Sequence, residues 1–227
     1  MLSRDNIETY RIDVDLPIKE EKANIVEQFI SKYPLSSLKP DSDMKDITVL
    51  LNKTLSLIPT LVLSGSGASL SLSKKSLVLR MEKEKAGAKK VEVFLDDNLN
   101  KVSSDFNFII AGILGLLNVE SLKAEENFKV VKPLGDGVKL DYFFNQNFWN
   151  KLTEYGETHV SGLQIEFNHA LMGCDVPHEI VLRREKKEIW GIVSCYFDIR
   201  GPMDIGSVVN NRLKMVDALY LKLLENA

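Results

Sequence analysis

Residues 179–200 read EIVLRREKKEIWGIVSCYFDIR, and residues 205–224 read IGSVVNNRLKMVDALYLKLL. This stretch decides the fold. In its first part, strand runs at 179–184 and 188–200 flank Arg184-Glu185-Lys186-Lys187-Glu188. Both signs of charge alternate over that short span, as at a solvated hairpin tip. Gly201-Pro202 breaks the chain, and Asp204 or Ser207 supplies a helix cap. Beyond it, Ile205, Val208, Val209, Leu213, Val216, Leu219, Tyr220, Leu223 and Leu224 recur at helical spacing, with Lys214, Asp217, Lys222 and Glu225 on the other faces. The spacing predicts a long helix that covers one face of a sheet. Its near-heptad stripe also suits pairing with another subunit.

The same order of elements is expected upstream. Alternation of Tyr10, Ile12, Val14 and Leu16 with Arg11, Asp13 and Asp15 marks a half-buried strand over 8–16, stopped by Pro17. Ile25, Val26, Phe29 and Ile30 form the stripe of a helix over 19–32, and a second helix follows from Asp43. Strands are then expected at 60–73, 76–82 and 91–95. The apolar run 106–117 (FNFIIAGILGLL) covers only about 12 residues where a membrane span needs about 20. It reads as a buried helix capped by Ser103, Ser104 and Asp105, with Gly112 and Gly115 there to let another backbone approach. A strand follows over 121–131. In the second half, a strand is expected at 138–144, a helix from about Gln146 and a strand at 159–170, ahead of the two strands and the helix already described.

These elements define an α+β fold: two antiparallel β-meander-plus-helix units sharing a core, with a long C-terminal amphipathic helix. The 227 residues suit a single domain with two halves of matching element order, 1–132 and 133–227. A chain of this length buries roughly 70% of its unfolded surface and needs no covalent staples. The composition is 44% apolar and 27% charged, and the net charge is −3. That balance offers no general attraction to phosphates or anionic lipid, so neither nucleic acid nor membrane is expected as a partner. Two cysteines, Cys174 and Cys195, and an opening without a signal-peptide core point to a reduced, cytoplasmic setting.

The densest group of reactive side chains is His169, Cys174, Asp175 and His178, with Cys195 further on. Its spacing lacks the paired knuckle of a structural zinc site, so neither metal nor cofactor is expected. Cys195 alternates with Val193 and Phe197 and is expected to face a core. Cys174 with His178, and His169 nearby, is the constellation to weigh for nucleophilic catalysis. Ser64-Gly65-Ser66-Gly67 matches no phosphate loop and reads as a kink or bulge in a strand. Asp13 with Asp15, and Asp96 with Asp97, lie on or beside strands; a solvated strand face accounts for the first pair. The aromatic group Tyr142, Phe143, Phe144, Phe148 and Trp149 suits a core cluster or an exposed partner surface. On the last helix, Val216 and Tyr220 are the residues to consider for partner contact.

The segments Tyr10–Val14, Phe29-Ile30-Ser31-Lys32-Tyr33-Pro34, the hairpin 69–80 and Tyr196–Arg200 leading into the last helix form a pattern of hydrophobicity spread over most of the chain. The pattern resembles an uncharacterised, sporadically distributed prokaryotic family whose meander–helix halves are similar to the SecB export-chaperone architecture. That resemblance implies no established activity and no catalytic residues. The expectation is therefore a non-enzymatic, chaperone-like or assembly subunit that binds a protein partner or forms a homo-oligomer. The alternatives are a cysteine/histidine-dependent hydrolase or transferase, or a small-ligand sensor.

Overall fold

A computed structural model describes residues 2–17, 26, 28–29, 32, 39–40, 61–65, 68–73, 75–83, 92–133, 164–168, 178–185 and 188–225. Its strands are β1 (Ile7–Asp15), β2 (Lys39–Pro40), β3 (Leu61–Gly65), β4 (Ala68–Leu72), β5 (Ser76–Glu82), β6 (Leu122–Pro133), β7 (Gln164–Asn168), β8 (His178–Glu185) and β9 (Glu188–Ile199). They form one antiparallel sheet in the order β2-β3-β4-β5-β1-β6-β9-β8-β7. Among the described residues, two long helices, α1 (Asp96–Leu117) and α2 (Ile205–Glu225), join the sheet in an α+β fold. Each opening strand returns beside the last strand of its own meander, β1 against β5 and β6 against β9, while β1 and β6 pair at the centre. All of β6 but Pro133 lies within the sequence assigned to the first half, yet the strand pairs along its whole length with β9.

Period-two burial gives the sheet two unlike faces. Tyr10, Ile12 and Val14 of β1, Leu77, Leu79 and Met81 of β5, and Leu122, Ala124, Phe128 and Val130 of β6 are buried on the helix side. On α1, Leu99, Val102, Phe106, Ile109, Ile110, Ile113 and Leu117 recur every three or four residues and enter the same core. α1 ends at Asn118, which adopts a left-handed conformation (φ 55°) and donates its N–H to Gly115 and Leu114. That is the ordinary αL way to satisfy the last carbonyls. Glycine sets how closely α2 approaches the sheet. A Cβ on Gly191 would stand 2.5 Å from Val216 Cγ1 and 3.0 Å from Val130 Cγ2.

Polar contacts lock the two helices together. Ser103 Oγ accepts the Ile205 N–H at 3.2 Å. Asn107 clamps Met203 from both sides, donating to its carbonyl at 2.8 Å and accepting its N–H at 2.7 Å. Asp204 then caps α2, accepting the Ser207 N–H at 3.0 Å and the Ser207 hydroxyl at 2.6 Å. Those bonds hold the Asp204 carboxyl below its ordinary range. Arg4 joins the amino-terminal turn to both helices through Asn210, the Phe94 carbonyl and Asp96.

Four expectations are corrected. Within the run 60–73, β3 and β4 pair from Gly65↔Ala68 to Leu61↔Leu72, so the chain reverses between Gly65 and Ala68 instead of kinking. Residues 92–94 form a short 3-10 turn, not a strand; Val93 and Phe94 are both buried, and successive strand residues point to opposite faces. α1 begins ten residues before the expected start at Phe106, ahead of the expected cap at Ser103–Asp105, because Leu99 and Val102 extend its stripe backwards. Asp96 and Asp97 accordingly sit in the first turn of a helix, where the backbone dipole favours acids. Of the two helix glycines, Gly112 is filled by the ring of Phe29, a side chain, and Gly115 faces open space. Val26, Gln28, Phe29 and Lys32 are helical within the expected helix over 19–32. The expected helix from Asp43, the strand 138–144 and the helix from Gln146 lie outside the described residues.

Candidate functional site

The inner row of β6 reads Leu122, Ala124, Glu126, Phe128, Val130, which places a carboxylate in the middle of an apolar face. Glu126 is fully buried, with Ile12 beside it on β1 and Cys195 on β9. Position 212 of α2 falls between Val208–Val209 and Met215–Val216 on the buried stripe and carries arginine. Arg212 meets Glu126 across this interface. Its Nε and one terminal nitrogen donate to Glu126 Oε2 at 3.0 and 2.7 Å, with the two side chains 11% and 1% exposed. The same guanidinium reaches the sulfur atoms of Met215 at 3.7 Å and Cys195 at 3.8 Å.

Tyr10, fully buried on β1, closes the group edge-on to Phe128 with ring centroids 6.4 Å apart. Tyr10 Oη and Glu126 Oε1 are both buried and make no hydrogen bond among the described residues. Burial, followed by the Glu126 charge, pushes the Tyr10 hydroxyl well above its usual range. For Arg212, burial opposes the charge, but the hydrogen bonds and charge of Glu126 outweigh it and raise the pKa. The pair is therefore an ion bridge across the sheet–helix interface, a geometry that fixes how α2 lies on the sheet. The signal in the sequence is an acid on one apolar phase and a base on another, 86 residues apart.

The opposite face of the sheet is polar. One row across the strands runs Arg80, Arg11, Asn127, Ser194, and the next runs Val78, Asp13, Glu125, Tyr196. Arg11 pairs with Asp13 at 2.7 Å and Arg80 with Glu82 at 2.6 Å, both within a strand. The hydrogen bond that Arg11 donates to Asp13 is the main reason that the Arg11 pKa is raised. Tyr196 is 62% exposed, and Trp190 and Ile192 on the same strand are half-buried. Lys129 lies 3.6 Å over the Trp190 ring.

Of the residues singled out from the sequence, Cys195 touches the Glu126–Arg212 bridge and Asp13 lies on the outer face. Cys195 is a core residue, as its alternation predicts. Val216 is 2% exposed and packs over Gly191, so it belongs to the core and not to a partner surface. His178 opens β8, where its backbone is in register with Cys195, and Tyr220 lies in α2. His169, Cys174, Tyr142, Phe144, Phe148 and Trp149 are outside the described residues. Among the described residues, no group of three or more His, Cys, Asp and Glu is placed to hold a metal, and no helix is long and apolar enough to cross a membrane.

Neither a protein-family model nor a curated protein matches the chain.

Proposed function

We propose that this chain is a non-enzymatic protein-binding subunit, chaperone-like or assembling, that works in the cytoplasm and presents the polar face of its sheet to a protein partner. One observation carries the reading. While α1 and α2 cover the inner face, the outer face keeps a large aromatic, Tyr196, 62% exposed beside half-buried Trp190 and Ile192. Tyrosine and tryptophan amid polar and charged neighbours are the composition of protein interfaces, because they give large contact area with few rotatable bonds. The Glu126–Arg212 bridge supports the same reading by holding the inner side rigid.

A photo-crosslinking residue at position 196 tests this in the native cell, with position 104 on the exposed side of α1 as the control. Protein adducts from position 196 that are missing from position 104 are expected. Equal labelling at both positions, or none at 196, overturns the proposal.

A further inference from the structure

We infer that the partner on the outer sheet face is a second copy of this chain, docked face to face about a two-fold axis that runs across the strands between the Arg11 and Asp13 rows. The inference rests on the protein-binding reading above and adds the partner's identity.

Like charges stand side by side on the outer face. Arg11 stands directly opposite Arg80 on β5, and Asp13 directly opposite Glu125 on β6. Like charges at facing positions of an antiparallel pair destabilise it. Here they collect into a basic row and an acidic row two residues apart along the strands. The ion pairs within strands, Arg11 to Asp13 and Arg80 to Glu82, offset this in part. Arg11 and Arg80 nevertheless keep about half of their side chains exposed, at 48% and 51%.

A two-fold axis lying in the interface, parallel to the rows and midway between them, carries each row of one copy over the other row of its mate. Arg11 then meets the mate's Asp13, Asn127 meets its Glu125, and both contacts occur twice. At these two contacts one copy alone carries both halves, the requirement of an isologous dimer, while Arg80 falls over the mate's Val78 and the outermost Lys129 over its Lys123. Over the five strands from β4 to β9 the face measures about 24 Å by about 27 Å at ordinary sheet spacings. That is on the order of 650 Å² per copy, near the lower end of stable interfaces. The dimer is therefore salt-sensitive, because charge pairing at a partly solvated face weakens as ions screen it.

Charge exchange at two exposed or half-exposed positions tests this. Arg11→Asp gives a copy with acids in both rows, and Asp13→Arg gives a copy with bases in both, so each repels itself and fits the other. Sedimentation velocity at micromolar concentration should show a wild-type dimer that dissociates at high salt. Each variant alone should dimerise at least tenfold more weakly, and the equimolar mixture should recover the dimer. Recovery in the mixture also shows that both variants fold. A wild type that stays monomeric at low salt, or a mixture that does not associate, overturns the inference. Crosslinks from position 196 to proteins other than this chain would then leave the protein-binding reading standing, whereas their absence would remove both.

Discussion

Replacing Arg212 by methionine leaves Glu126 as a buried carboxylate with no counter-ion, and the structure sets the size of the penalty. Glu126 is 1% exposed on its side chain, and its only hydrogen bonds among the described residues are the two at 3.0 and 2.7 Å from Arg212. Removing one member of a buried pair costs about 3–5 kcal/mol. A domain's whole stability is about 5–15 kcal/mol, so Arg212→Met approaches the limit of folding. The converse change costs less. In Glu126→Leu the guanidinium, already 11% exposed at the helix edge, can turn toward water on its long stem, and about 1–2 kcal/mol is expected. The double substitution removes both charges and fills the space with apolar atoms. It should lie within about 1 kcal/mol of wild type or exceed it, since apolar replacements of buried pairs are often neutral or stabilising. Urea unfolding followed by circular dichroism gives all four corners of the cycle, provided the slope with denaturant stays constant. In thermal melts, Arg212→Met should lose on the order of 10 °C. A loss below about 1 kcal/mol for Arg212→Met, or a double variant as unstable as the sum of the singles, would refute the argument that the pair is a buried bridge.

Gly115→Ala should stabilise by up to about 1 kcal/mol, because the new methyl meets nothing within 4 Å and alanine is the better helix former. Gly191→Ala should instead destabilise by about 1–3 kcal/mol through its 2.5 Å clash with Val216, and Val216→Ala in the same chain should recover part of the loss in urea melts. Tyr10→Phe tests the sign of a titration. The hydroxyl's pKa is raised in the folded state, so its contribution is present below about pH 10 and is lost as pH rises through the folded value. Wild-type stability should therefore fall with pH above about 10, and Tyr10→Phe should flatten that limb. Asp204→Ala removes the cap of α2 and should cost about 1 kcal/mol at neutral pH. The carboxyl's pKa is lowered by Ser207, so the difference from wild type should persist at neutral pH and shrink as pH falls below the ordinary carboxylate value. An unchanged difference at low pH would argue against the carboxylate as the cap.

Legibility tracked local periodicity. β1, β5, β8, β9 and α2 fell where their patterns put them, because alternation and the 3.6-residue stripe are properties of adjacent sequence. The same sensitivity hid the polar bridge. Glu126 is one of two successive glutamates in a strand that also reads as partly solvated, and Arg212 interrupts a stripe recognised by its apolar members. Each looks like an ordinary surface charge until the burial of both is known. The hairpin at 61–72 was missed for a related reason: the serines around its glycines suit a bulge as well as a reversal, and only pairing with β4 distinguishes them.

Local periodicity was enough to assign most apolar side chains to the core, to make the chain α+β, and to put a long amphipathic helix after the last meander. Those follow from periods of two and 3.6 residues, which local chain geometry imposes. Tertiary structure alone decided that β1 sits between β5 and β6, and that Glu126 finds Arg212. It also set an arginine row beside an aspartate row on the outer face. A period assigns a side chain to a face but carries no record of its neighbour there, and neighbours from distant segments are fixed only when the sheet closes and the helices settle on it.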